Sequence, residues 1–366
     1  MNNLILETDK QFWELRKKID LSLDFLPINL AAEKQRFIDS YKAGKVYNPV
    51  FEYNKTENLE FIKPLEAYYD RFNQFKEWPL RELYLITINE LIEHIHRFDN
   101  RNDPEFSIWL TGLYDKPKKD EIVLAKQYLQ TQTKNSVEDE LIKPEVAKEI
   151  LHAALDLIGI NHWKVEVTEM VAKMAVNMKK TLKINKASTF TLTELNRLIA
   201  HEIETHIYRH ENGLQQIHQI FAYGLPDYIT VEEGIAISNE EKRGLLDIKD
   251  MNKYALRFVL ADRCALNDTF YELFEYCMPY LDNEIEQAFT MVTRLKRGLT
   301  DTLSGGYIKD TVYFRGWKNV RSFSQLKIEK LYIGKIGDQH LDLCESMGKD
   351  LIAPRYLPKD YKVTLS

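Results

Sequence analysis

Apolar residues recur every three or four positions along most of the first 160 residues, the spacing that lines one face of a helix. This pattern predicts helices over residues 8–21, 30–43, 59–75, 79–98, 104–113, 119–130 and 144–157. The 79–98 segment is the clearest, with Leu80, Leu83, Leu85, Ile88, Leu91, Ile92 and Ile95 forming a wide buried face. Pro79, Pro104 and Pro144 stand near helix starts, where a missing N–H costs no intrahelical bond. His94 and His96 end the 79–98 segment two residues apart. They face different directions on a helix, so they are expected to be structural or solvated.

The texture changes after Gly159. Trp163 to Val167 alternates with period two, and residues 176–178 and 181–184 continue as short strands. Thr191-Leu192-Thr193-Glu194 then has the T-x-x-E spacing of a capping box, opening a helix over 191–211. Helices resume at 231–245, 251–267, 270–280, 284–297 and 310–323, with loops at 115–119 and 135–141. The expected class is α+β: predominantly helical, with a small β-sheet directly before the 191–211 helix. Residues 1–140 form a mostly helical region packed on a second part, 141–366.

Composition removes several classes of function. Hydrophobic residues make up 44 % of the 366, ordinary for a globular chain and too many for a disordered one. A net charge of −6 gives no general affinity for nucleic acid or an anionic membrane. Cys264, Cys277 and Cys344 are too few and too scattered for a disulfide framework or a cysteine zinc site. The N-terminus lacks the basic start of a signal peptide, and no apolar run approaches the ~18 residues that span a bilayer. A soluble, cytoplasmic protein is expected; its oligomeric state is not legible.

The chemistry concentrates in His201-Glu202-Ile203-Glu204-Thr205-His206. It is one residue longer than H-E-x-x-H, in which two histidines on one helix face bind zinc and the glutamate serves as general base. On an α-helix, residues five apart diverge by about 140°. The 191–211 helix must therefore widen between His201 and His206, as a π-bulge does, for both imidazoles to reach one ion. A few strands running into a metal-ligand helix is also the core arrangement of zincin peptidases. A third protein ligand is then required. His210 would face away from His201 on a continuous helix. The better candidates are Glu232 and Glu233, in Val231-Glu232-Glu233-Gly234-Ile235-Ala236, and spacing alone does not choose between them.

Four ordered blocks resemble the microtubule-associated tyrosine carboxypeptidase family, which includes bacterial proteins with a Q-E-G-L-A motif. They are His201 to His206, then Glu232-Glu233-Gly234-Ile235-Ala236, Arg294-Leu295-Lys296-Arg297-Gly298, and Lys309-Asp310-Thr311-Val312-Tyr313-Phe314-Arg315-Gly316. The resemblance covers residues 163–320 and is weaker before 140. It implies a gluzincin-like zinc peptidase, with 141–366 as the catalytic domain. Zn²⁺ would be held by His201, His206 and Glu233, with Glu202 as general base. The glutamate next to glycine is the one the bacterial motif keeps, which carries the third-ligand role to Glu233. Glu204 departs from the family, which usually has glycine there. It is expected to point to solvent, or the widened turn to lie elsewhere.

The reaction implied is removal of a bulky C-terminal residue, such as an aromatic one, from a peptide or protein. It needs a cation for the free carboxylate and a donor for the developing oxyanion. Arg294, Arg297 and Lys309 are the candidates for substrate binding, and Tyr313 joins Glu202 among the catalytic candidates. The alternatives are a zinc endopeptidase, an aminopeptidase, or a helical protein-binding scaffold without catalysis.

Overall fold

Most of the chain is helical, and the computed structural model describes residues 3–131, 140–170 and 172–358. It divides into two compact units, each assembled from separated stretches. The first takes residues 1–17, 134–247 and 316–366, and the second takes 18–133 and 248–315.

The second unit is all helix. Its elements are Leu30–Lys42, Ile62–Asn73, Arg81–Asp99, Phe106–Gly112, Lys119–Leu129, Ile248–Ala265, Phe270–Cys277 and Ile285–Lys296, with short 3₁₀ turns between some of them. In Arg81–Asp99 the expected stripe is present: Leu85, Ile88, Leu91 and Ile95 are buried. The helix begins two residues after Pro79 because Arg81 N–H still closes a turn on Trp78 O, and the first i→i−4 bond runs from Tyr84 to Leu80. The core is aromatic. Phe37 meets Phe274 edge-on at 4.7 Å and Phe270 at 5.0 Å, and Phe270 meets Phe289 at 5.1 Å. Such pairs contribute about 0.5–1.5 kcal/mol each beyond area burial. The expected loop at 115–119 is present as residues 115–118, whereas 135–139 of the second expected loop lie outside the described residues.

The first unit holds the sheet and the motif. Its opening helix, Asn3–Arg16, starts before the expected Thr8, whose hydroxyl donates to Leu4 O within the helix. Helix Pro144–Leu157 packs on a three-stranded mixed sheet of β1 (Lys164–Thr168), β2 (Met174–Val176) and β3 (Thr181–Asn185). The order is β1-β3-β2, with β3 parallel to β1 and antiparallel to β2. Leu182 and Ile184, two apart on β3, are fully buried, as the period-two pattern requires. Ile142 and Phe190 then exchange two backbone bonds, which fixes the chain just ahead of Thr191.

From there residues 192–214 run as one continuous helical rod, the motif helix. Thr191 caps it by accepting from Glu194 N–H at 3.1 Å, while the Glu194 carboxylate binds Lys173 at 2.7 Å. Helix Ile229–Lys242, the carboxylate helix, packs along its centre. A Cβ on Gly234 would come within 2.3 Å of Gly316 O, and one on Gly316 within 2.1 Å of Thr230 O. The backbones of the carboxylate helix and of Thr311–Val320 therefore touch, which only glycine permits. Two short helices that periodicity did not reveal, Gln325–Leu331 and Leu341–Met347, follow. At seven residues each, they are too short to display a repeat. No helix among the described residues is long and apolar enough to cross a membrane.

Candidate functional site

The motif helix changes pitch at the histidines. Leu192–Leu198 and Tyr208–Leu214 are α-helical, and Ile199–Ile207 between them is a π-helix. Tyr208 N–H bonds Ile203 O, five residues back. The five-residue spacing demands this turn, because i→i+5 closure returns the sixth residue to the face of the first. His201 and His206 accordingly meet, with ring centroids 5.0 Å apart. One ligand atom from each of His201, Glu202 and His206 lies within 4.8 Å of the others in a buried group that can hold a metal ion.

The carboxylate helix orients both rings from behind. Glu240 Oε1 is 2.6 Å from His201 Nδ1, and Glu232 Oε1 is 2.8 Å from His206 Nδ1. A carboxylate at Nδ1 fixes the tautomer with its proton there, so the Nε2 lone pair is presented for coordination. Both Nε2 atoms face Glu233 Oε2, at 3.4 Å from His201 and 3.7 Å from His206. Ligands set tetrahedrally at about 2.1 Å from a zinc ion stand about 3.4 Å from one another, so this donor set has the right chemistry and spread. Adjacent Glu232 and Glu233 thus occupy different places: Glu233 is on the Nε2 side and Glu232 behind His206.

Each rear carboxylate has its own cation. Arg197 Nη1 donates to Glu240 Oε2 at 3.2 Å. Glu232 takes Lys335 at 2.7 Å and the Nη1 of fully buried Arg209. Burial opposes its charge, yet Lys335 and Arg209 hold the Glu232 carboxyl well below the usual range. Arg209 is itself fixed by the carbonyls of Leu331, Gly334 and Ile336. At His201, burial alone would favour the neutral ring, but Glu233 and Glu240, then Glu202, raise its pKa well above the ordinary value. A field that retains a proton there also attracts a metal cation, and the two compete for the same nitrogen.

Glu204 corrects an expectation. It does not point to solvent, nor does the widened turn lie elsewhere: Glu204 sits within Ile199–Ile207, 1 % exposed, and Arg243 pairs with it at 2.6 Å. A buried carboxylate is tolerated there because a guanidinium neutralises it. His210 lies apart from the group, its Nδ1 bonded to Ala222 O and its pKa lowered to about 4, with burial the largest cause.

The four late candidates belong to the second unit. Arg294 forks onto Asp310, Nε to Oδ2 at 2.9 Å and Nη2 to Oδ1 at 3.0 Å. Tyr313 stacks on Tyr254 at 5.6 Å. Arg297 lies over the Tyr307 ring at 5.0 Å, and Lys309 is half-buried. Arg257, which sequence reasoning missed, also faces Asp310, at 3.7 Å. Among the supporting glutamates, Glu232 was named only as an alternative third ligand and Glu240 was missed, although Glu232, Glu233 and Glu240, spaced one and seven residues apart on one helix, carried a readable signal.

No curated protein matches the chain. The family model described as microtubule-associated tyrosine carboxypeptidase matches residues 35–364. That match takes in all four sequence blocks, the π-turn and the helix that supplies the carboxylates. By this nearly full-length correspondence, the chain belongs to the microtubule-associated tyrosine carboxypeptidase family.

Proposed function

We propose that this protein is a zinc-dependent carboxypeptidase with a zincin-like core, its catalytic machinery within residues 141–366 and a helical region before it. The observation that carries the reading is the convergence of His201 Nε2, His206 Nε2 and Glu233 Oε2 while both Nδ1 atoms are held by carboxylates. His201, His206 and Glu233 are the proposed ligands. Zinc held there would supply Lewis-acid polarisation of the scissile carbonyl and would lower the pKa of the attacking water. Glu202, next to His201 and outside the proposed ligand set, would serve as the general base that takes a proton from water and returns it to the leaving amine.

The substrate is a peptide or protein with a free C-terminus. Its carboxylate needs a cation, and Arg294, Arg297 and Lys309 are proposed for it, with Tyr313 as a hydrogen-bond donor to the oxyanion. Arg294 already forks onto Asp310, whereas Arg297 Nε bonds no acceptor among the described residues, which favours Arg297 for the substrate. The family's name supports a C-terminal tyrosine as the residue removed. The three cysteines are buried free thiols, in keeping with the reducing cytoplasm as the place of action.

The test is mass spectrometry of a C-terminal peptide library incubated with zinc-loaded protein. Single-residue trimming is expected, with Glu202→Gln slower by ~10²–10⁴-fold at unchanged zinc content and His201→Ala losing zinc. Internal cleavage would indicate an endopeptidase, N-terminal trimming an aminopeptidase, and no cleavage a scaffold.

A further inference from the structure

At the π-turn lies a second set of polar contacts that the proposed reaction does not use. Where Tyr208 N–H turns to Ile203 O, the carbonyl of Glu204 accepts the Tyr332 hydroxyl at 3.0 Å. The Thr205 hydroxyl donates to Ala200 O, also five residues back, at 3.0 Å. Asn239 divides its two amide hydrogens between Thr205 Oγ1 and Tyr332 Oη, each at 2.8 Å. Arg243 anchors the side chain of Glu204 in the same turn. Every hydrogen in this chain of contacts has one acceptor, and Tyr332 and Thr205 are fully buried. Burial keeps the Tyr332 phenol protonated and so a donor.

We propose that Tyr332, Asn239 and Arg243 form a clamp that holds the motif helix in its π-turn, making them positioning residues for the metal ligands. The physical reason is the cost of the turn. A π-helix is rare and occurs mostly as a single widened turn within an α-helix, so the wide turn needs support from outside. Relaxation to α-helical pitch would swing His206 about 100° further from His201 and leave the Glu204 carbonyl to a backbone amide. Asn239, Arg243 and Tyr332 also line a cavity of about 280 Å³. Asn239 precedes Glu240 in sequence, so one turn of the carboxylate helix serves both the clamp and His201.

The inference rests on the metal-site reading, and its test separates the two. Tyr332→Phe removes one oxygen and Asn239→Leu removes both amide bonds. Zinc affinity is read by competition with a chromogenic chelator, and ligand geometry by the visible spectrum of the cobalt-substituted protein. Amide hydrogen exchange of residues 204–208 is followed in the metal-free protein. Leu182→Ala, in β3 of the same unit, is the control for lost stability alone. Each clamp variant is expected to bind zinc roughly 10–100-fold more weakly, as loss of outer-shell support does. The cobalt spectrum should lose its tetrahedral character, and exchange should accelerate at 204–208. The control should keep wild-type affinity. Wild-type affinity and protection in both clamp variants would overturn the clamp, and so would an equal loss of zinc in Leu182→Ala. If the wild-type protein binds no zinc, the metal reading falls, and exchange at 204–208 still decides the clamp.

Discussion

His201 shows how much rests on which nitrogen of a ring meets which neighbour. Nδ1 is tied to Glu240 and Nε2 faces Glu233, and the metal-free ring holds its proton above the ordinary histidine range. In the metal-free fold that proton stabilises below the unfolded pKa of about 6.5 and ceases to as pH rises through the folded value. Metal needs the bare nitrogen. Zinc affinity should therefore climb with pH until the folded value is passed, and binding below it should release a proton. Calorimetry in buffers of different ionisation enthalpy checks this; a pH-independent affinity would disprove it. Asp310 has the opposite sign. Burial raises its pKa, yet Arg294 and Arg257 hold it well below the usual range. That stabilisation is complete above the unfolded value of about 3.9 and is lost as pH falls toward the folded one. Arg294→Ala removes the fork on Asp310 and leaves it the weaker attraction of Arg257 and Arg297, and should cost toward the lower end of the about 3–5 kcal/mol typical of a broken buried pair, measured by urea unfolding. The motif residues were legible because H-E-x-x-x-H is local. Tyr332 was not, since it comes from 128 residues away to meet Glu204, and nothing about a lone tyrosine in sequence announces such a contact.

Among elements, the motif helix was legible as a conflict between spacing and pitch, and the π-turn resolves it. The sheet before it was visible from alternation at Val165, Leu182 and Ile184. The place of Glu204 was misjudged because its neutralising cation, Arg243, lies on another helix. The contact between the carboxylate helix and Thr311–Val320 was likewise invisible, although both glycines stand inside recognisable blocks. Gly316→Ala must push a methyl against Thr230 O at 2.1 Å. Backbone has little room to yield, so a loss of about 1–3 kcal/mol or more is expected. Displacement of the helix bearing Glu233 should weaken zinc binding in parallel. Denaturant midpoints and metal content of the purified variant check both, and an alanine with full stability and full zinc would show that the crossing is looser than described.

For the whole molecule, a metal bound only by the folded state adds stability by mass action. At free zinc a thousandfold above its dissociation constant, the gain is about 4 kcal/mol. Chelation should lower the thermal midpoint of the wild-type protein and leave that of His201→Ala unmoved, a comparison open to scanning calorimetry. The division into units was the least legible level, because strand and helix patterns are local whereas the units regroup separated stretches of chain. That regrouping has a consequence for synthesis. The histidines and all four site glutamates are made by residue 240, but Tyr332 and the three carbonyls that fix Arg209 come only after residue 330. At translation speeds of about 5–20 residues per second, the interval is on the order of 10 s. During it the nascent chain carries the proposed metal ligands and general base without the backing that aligns them. Under the proposed function, the site is expected to become competent only once the segment after residue 330 has docked, which would spare the unfinished polypeptides around it.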